Sequence, residues 1–283
     1  MIVAAAIGLG LLIGLSLGAL GGGGSILTVP ALVYVIGQDA RAATTSSLFI
    51  VGISSVIAAL GHARSGRVRW GVGIAFGATG IAAGFAGTAA NQLVDPDVLL
   101  LSFAGVIALA AAGMLANSRG SGGEERTDRR AVEERDGSTP SEAPSQPDDA
   151  AQRERRWTPG RIGKVVGAGL TVGFMTGFFG VGGGFVIVPA LTLALGMSMP
   201  QAVATSLVVI AINSAGALLA RAGTAQLDWA VVVPFTLAAV AGSLGGKKIT
   251  DRVSGTTLTR AFAVLLIAVA VYTATASLIS LLG

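Results

Sequence analysis

The run Gly21-Gly22-Gly23-Gly24-Ser25-Ile26-Leu27-Thr28-Val29-Pro30-Ala31-Leu32 interrupts an otherwise apolar segment. A second version, Gly180-Val181-Gly182-Gly183-Gly184-Phe185-Val186-Ile187-Val188-Pro189-Ala190-Leu191, interrupts another. Glycine costs a helix about 1 kcal/mol per position relative to Ala, and the residue before a proline is pushed towards extended geometry. Each run therefore predicts a helix, a break at the glycines, a short extended piece and a new helix starting near the proline. As one helix, residues 2–37 would be about 54 Å long against a hydrocarbon core of about 30 Å, so the segment must break. Irregular backbone at membrane depth is tolerated only where it is buried in protein or lines a polar cavity. A pair of such breaks in matching halves points to the binding site of a transporter.

Composition agrees with a membrane location. The 283 residues are 52% hydrophobic and 12% charged, with a mean hydropathy of +0.75, the profile of a polytopic membrane protein. The net charge of +4 does not indicate nucleic-acid binding, because much of the basic charge lies in short loops where it sets topology. With no cysteine in the chain, disulfides, thiolate metal sites and cysteine relays are excluded. No Lys or Arg precedes the first apolar run, which reads as a first membrane segment rather than a cleaved signal peptide.

Beyond the first broken segment, apolar spans are predicted at 44–61, 71–91 and 98–117, with a turn holding Asp95, Pro96 and Asp97 before the last. Residues 118–160 contain eight arginines and ten acidic residues and almost nothing apolar. Such a stretch cannot bury enough surface to offset its ordering entropy and reads as a disordered linker, either a passive tether or a regulatory segment. The pattern then restarts, with a second broken segment at 164–196 and spans at 202–220, 229–246 and 257–282. At an offset of 159, Gly14, Gly18, Gly23, Gly24, Pro30, Ala31, Leu32, Gly37, Ser47, Leu48 and Trp70 recur as Gly173, Gly177, Gly182, Gly183, Pro189, Ala190, Leu191, Gly196, Ser206, Leu207 and Trp229. The expectation is an all-α membrane protein of about eight hydrophobic segments in two four-segment repeats: residues 1–117, the linker 118–160, and residues 161–283.

Loop charge bears on how the repeats face. If each broken segment crosses the membrane, both halves point the same way and the loop with Lys247, Lys248 and Arg252 falls outside, against the positive-inside rule. If each folds back as a re-entrant hairpin, the halves are inverted, and that loop joins Arg64, Arg67 and Arg69 on the cytoplasmic side. The second arrangement fits the charges better and places the linker in the cytoplasm.

The repeated glycine runs ending in Pro-Ala-Leu, with Ser46-Ser47-Leu48 and Thr205-Ser206-Leu207 following each proline, resemble the TauE/SafE family of sulfite exporters and sulfonate permeases. The resemblance covers the chain apart from residues 118–160. It implies a multi-pass protein of the bacterial inner membrane that moves sulfite, sulfonates or related sulfur anions, usually outward.

Several residue groups are candidates for holding an anion. A helix N-terminus presents free N–H groups and partial positive charge, and glycine lets a ligand approach the backbone. Gly21, Gly22, Gly23, Gly24 and Ser25, with Gly180, Gly182, Gly183 and Gly184, therefore form a candidate site if the two runs meet. Gly10, Gly14 and Gly18, with Gly169, Gly173 and Gly177, recur every fourth position and read as helix-packing glycines. Thr44, Thr45, Ser46, Ser47, Thr205 and Ser206, at the starts of the following spans, read either as N-caps or, the equivalent pair Ser47 and Ser206 foremost, as donors to an oxyanion. Asn213, matched by Ser54, reads as an interhelical hydrogen-bonding group or a ligand contact. His62, beside arginines at a membrane edge, suits an interfacial role, and Trp70 and Trp229 suit interface anchors. Arg64, Arg67 and Arg69 read as topology signals that could also gather anions.

No Asp or Glu is expected within a hydrophobic span, so neither a proton relay nor a cation site is expected. The chain has no P-loop, catalytic triad or metal cluster. The reading is a secondary transporter or facilitator rather than an enzyme, with no cofactor, no metal and no catalytic residue. Its partners are a small anionic substrate and the lipid bilayer, without nucleic acid. An uptake permease for similar anions and a non-transporting membrane scaffold are the alternatives, and the oligomeric state is left open.

Overall fold

The computed structural model describes residues 2–91, 93–94, 98–99, 102–116, 159–179, 184–221 and 227–282. The expected turn at 95–97, nearly all of the 118–160 linker, and Gly180, Gly182 and Gly183 lie outside the described residues. Among the described residues every regular element is a helix. In chain order these are α1 (Ile2–Leu20), α2 (Gly23–Val35), α3 (Ala40–Ala63), α4 (Trp70–Asn91) and α5 (Ser102–Ala116), then α6 (Pro159–Phe179), α7 (Gly184–Ala194), α8 (Met199–Ala220), α9 (Trp229–Arg252) and α10 (Gly255–Leu282). Seven of them, all but α2, α5 and α7, are long and apolar enough to cross a membrane. Large apolar side chains such as Leu12, Leu109, Leu219, Leu237 and Val264 are exposed, as lipid-facing positions should be.

The first apolar segment breaks at its glycines, and the second is described as one helix up to Phe179 and another from Gly184; among the described residues the extended pieces expected before the prolines are helical instead. α2 starts at Gly23 and α7 at Gly184, and Pro30 and Pro189 sit inside these helices. A proline removes one amide donor and crowds the preceding turn. Here the helix widens into a π turn directly after it, at Ala31–Val35 and Ala190–Ala194, and the Ile36 amide reaches back to the Ala31 carbonyl (3.2 Å). Away from water, backbone groups must be satisfied within the segment, which outweighs the pre-proline preference for extended geometry.

The span expected to stop at Gly246 continues to Arg252, so Lys247, Lys248 and Asp251 lie on the last turns of α9 and not in a loop. The expectation of no acidic residue in a span is corrected with it. Asp251 is tolerated there because it pairs with Lys247 one turn away (2.7 Å) and with Arg67 before α4.

Packing glycines set how the helices run. Along α1, Gly10 faces Phe235 and Ala238, Gly14 faces Ala239, and Gly18 faces Ser243, so α1 and α9 run side by side in the same direction. Along α6, Gly169 faces Phe76, Gly173 faces Gly80, and Gly177 faces Gly84, so α6 and α4 do the same. The two sets of contacts correspond residue for residue at the offset of 159 between Gly10 and Gly169, or Phe76 and Phe235. A Cβ on Gly14 or Gly173 would overlap the opposing backbone. This is the close approach that small residues permit between membrane helices, where van der Waals packing drives association. α3 and α8 run in opposite directions: the Arg221 guanidinium meets Thr45 (3.5 Å) and Gly52 lies against Ser214.

Candidate functional site

α1 stops at Leu20 inside the protein, and its last carbonyls have no intrahelical donors. Their partners come from elsewhere. Gly21 N donates to the Leu17 carbonyl (2.8 Å). His62 Nε2 lies 3.3 Å from the Gly18 carbonyl, so this nitrogen carries the ring proton. Thr250 Oγ1 reaches the carbonyls of Gly18 (3.3 Å) and Ala19 (3.1 Å). At the tip of α6, Asn91 Nδ2 donates to the Phe178 carbonyl (2.6 Å). Asn91 and Thr250 are 159 residues apart, as are Ala19 and Phe178, so the two helix tips are capped by equivalent positions. His62 is fully buried, which corrects its expected interfacial role: it is recruited by the exposed carbonyls of α1.

Beyond the tip the chain reverses. Gly21 has φ +68°, a backbone conformation that favours glycine, and a Cβ on it would overlap Ser206 Oγ. Gly24 then rests on Ile13 and Leu17 of α1, and Leu32 packs with Ala6 and Ile13, so α2 returns beside α1. Gly22 stands directly on Gly184, and a Cβ on Gly22 would coincide with the Gly184 carbonyl. A Cβ on Gly184 would reach Ser25 Oγ and lie 3.2 Å from Gly22 Cα. The starts of α2 and α7 therefore touch. No side chain caps α2 at Gly22, and Ser25 Oγ donates to the Gly22 carbonyl (2.7 Å).

The structure thus brings together Gly21 with Ser206, and Gly22 with Ser25 and Gly184. Gly23 faces Leu265 of α10 and Gly24 faces α1. The hydroxyl candidates are not N-caps, because their helices begin at Ala40 and Met199. Ser47 donates to the Thr44 carbonyl (2.8 Å) and Ser206 to the Val203 carbonyl (2.8 Å), the back-bonding common for hydroxyls within helices. Thr205 Oγ1 accepts from the Arg69 amide (3.2 Å). Ser46 Oγ and Asn213 Oδ1 are buried without a hydrogen-bond partner among the described residues, and so are Ser54 Oγ and Ser55 Oγ. Asn213 Oδ1 faces Gly80 of α4. Ser55 was not singled out from the sequence, although two adjacent hydroxyls in the middle of an apolar span were the available signal. Groups of His, Cys, Asp and Glu able to hold a metal are absent among the described residues.

The site lies towards the end of the molecule where α3 and α9 finish and α4, α8 and α10 begin. There Arg67, Lys247 and Asp251 form a partly exposed ionic cluster, 29%, 22% and 31% accessible. At the opposite end, Arg221 meets Thr45 and Trp229 stacks edge-on against Phe49, with ring centroids 5.4 Å apart.

Comparison with known proteins places this architecture. The family model described as sulfite exporter TauE/SafE matches residues 6–273. A protein of Xylella fastidiosa strain Temecula1 named "probable membrane transporter protein" is 32% identical over 272 residues, covering 94% of this chain and 92% of its own length. A protein of the same name from strain 9a5c is 32% identical over 270 residues. A probable membrane transporter protein of Methanocaldococcus jannaschii is 27% identical over 216 residues, 74% of this chain and 68% of its own. No solved structure matches the chain. A match spanning nearly all of its membrane segments, with relatives named as transporters, establishes that the chain belongs to the TauE/SafE sulfite exporter family and is a multi-pass membrane protein.

Proposed function

We propose that the protein carries a small sulfur oxyanion, sulfite or an organosulfonate, outward across the inner membrane, and that the anion passes between the starts of α2 and α7. The observation that carries this reading is the contact of Gly22 with Gly184. The start of α2, at Gly22-Gly23-Gly24, and the start of α7, at Gly184, converge there from opposite halves of the sequence. Amide groups at an uncapped helix start attract anions, and glycine leaves the backbone open to a ligand once Gly22 and Gly184 part. Ser206 borders Gly21 and Ser25 borders Gly184, and both would turn their hydroxyls from backbone carbonyls to the anion. The matched family's description is the support for sulfite.

The arrangement in the membrane follows from charge and helix direction. Arg64, Arg67, Arg69, Lys164, Lys247, Lys248, Arg252 and Arg260 lie towards the end where α4, α6 and α10 begin, with Asp251 as the acid there among the described residues. The other end carries Arg41 and Arg221 against Asp39 and Asp228. The positive-inside rule makes the first end cytoplasmic. α1 and α6, equivalent in the repeat, then cross in opposite senses, α1 with α2 forms a re-entrant hairpin, and the 118–160 linker hangs in the cytoplasm.

Flux is driven by the membrane potential acting on the anion, about 2.3 kcal/mol per charge per 100 mV, directed outward when the inside is negative. The test is efflux from vesicles containing the purified full chain and loaded with sulfite. An imposed inside-negative potential should accelerate efflux, and the acceleration should persist when the pH gradient is collapsed at fixed potential. Flux that follows only the pH gradient, or no flux at all, would overturn the reading.

A further inference from the structure

The Arg67, Lys247 and Asp251 cluster is wired to the glycine turn at two points. The single hydroxyl proton of Thr250, the neighbour of Asp251, points among the Ala19 (3.1 Å) and Gly18 (3.3 Å) carbonyls at the tip of α1 and the Gly246 carbonyl (3.3 Å) of its own helix. Arg69, two residues after Arg67, donates its amide to Thr205, and Thr205 is the neighbour of the Ser206 hydroxyl that lies against Gly21. The segment between α3 and α4 is thus tied to the second half of the chain by an ion pair and by a backbone hydrogen bond. Both ties lie at the same mouth as the glycine turn.

The repeat makes this cluster conspicuous. The caps of the two helix tips, Thr250 and Asn91, are equivalent, and so are the packing glycines. The ionic cluster has no equivalent: the positions 159 residues from Lys247, Asp251 and Arg67 are Thr88, Gln92 and Gln226. One mouth therefore carries two cations held by a carboxylate where the repeat would place uncharged residues.

We propose that Arg67 and Lys247 form a vestibule site for the transported oxyanion and that the Asp251 carboxylate occupies it when it is empty. This rests on the transport reading above. A carboxylate and a small oxyanion offer the same acceptor geometry to a guanidinium and an ammonium group. An arriving anion takes the two cations from Asp251. The end of α9 and the Arg67–Arg69 segment then lose their mutual tie, and the path to the Gly21-Gly22 turn opens on that face. Asp251 is a positioning residue and a competitor for the site, and it does not itself contact the transported anion.

Because the chain has no cysteine, a single Ser25→Cys change gives a reporter beside the glycine turn in the full-length protein. Its modification by an impermeant maleimide, applied in inverted vesicles from the Arg67 face, reads the opening without requiring transport. Asp251→Asn and Arg67→Gln should each raise the labelling rate by about two- to fivefold, the size expected for loss of a partly exposed ion pair, and Asp251→Glu should leave it at the parent rate. Methanesulfonate should accelerate labelling of the Asp251-containing reporter, relative to gluconate at equal ionic strength, and add nothing in Asp251→Asn. Equal labelling of the parent, Asp251→Asn and Arg67→Gln would overturn the closure, and indifference of the parent to methanesulfonate would overturn the competition. If Asp251→Asn opens but sulfite-loaded vesicles of the parent show no flux, the transport reading fails and the closure stands. If the parent shows flux but labelling is the same in all variants, the closure fails and the transport reading stands.

Discussion

The tips of α1 and α6 are two solutions to one problem. Each is a helix end within the protein, buried at α1 and half-buried at α6, with carbonyls that need donors from outside the helix. At α6 one side chain, Asn91, caps the Phe178 carbonyl. At α1 the equivalent position, Thr250, shares the task with His62, and an ionic cluster stands beside it. What recurs in the two halves is the framework: packing glycines and the caps of the helix tips. What differs is charge, which gives the two faces of the molecule separate characters. A repeated sequence can therefore build one central path while its departures from the repeat make the mouths unlike.

The sharpest way to break the comparison is at the packing glycines. Gly14→Leu and Gly173→Leu each drive a side chain into opposing backbone and should each destabilise the protein by about 3 kcal/mol or more, read as thermal unfolding in detergent. If one variant is tolerated and the other is not, the halves do not pack equivalently. A smaller effect sharpens the contrast between the caps. Asn91→Leu leaves the Phe178 carbonyl without that donor, whereas Thr250→Val leaves His62 on Gly18. Interhelical hydrogen bonds in membranes contribute about 0.6–2 kcal/mol, and Asn91→Leu should lie at the upper end of that range and Thr250→Val at the lower. Equal losses would mean that His62 contributes nothing to the cap. The smallest effect has the opposite sign. Gly8 and Gly167, again 159 apart, have open space where a Cβ would go. Gly8→Ala and Gly167→Ala should each stabilise by about 0.4–1 kcal/mol, and a loss at either would contradict the open space on that face.

Much of the framework was legible in the sequence because it is local. Glycine runs weaken a helix wherever they stand, and Gly10, Gly14 and Gly18 announce a packing face by spacing alone. The helical course through Pro30 was hidden because it depends on the π turn that follows and on the absence of water to satisfy an extended strand. Lys247 and Lys248 looked like a loop because charge was read as the end of the span, whereas α9 continues to Arg252 with Asp251 paired to Lys247 and to Arg67, 184 residues away. His62 looked interfacial because its partner, the Gly18 carbonyl, is 44 residues away. In the candidate site, the pairing of Gly22 with Gly184 was expected only as a condition. Ser47 and Ser206 were legible as equivalent hydroxyls, while the carbonyls that occupy them follow from where α3 and α8 begin.

The central claim is that the contact of Gly22 with Gly184, where α2 and α7 meet, is the anion's path. It is tested most directly by potential-driven sulfite efflux from vesicles carrying Gly22→Ala, normalised to the amount of correctly inserted protein and compared with Gly8→Ala. The added methyl group coincides with the Gly184 carbonyl and changes nothing else in the side chains. The account predicts that Gly22→Ala lowers the efflux rate by at least about a hundredfold, a barrier increase of about 2.7 kcal/mol, while Gly8→Ala transports like the parent. Efflux by Gly22→Ala at the parent rate would contradict it.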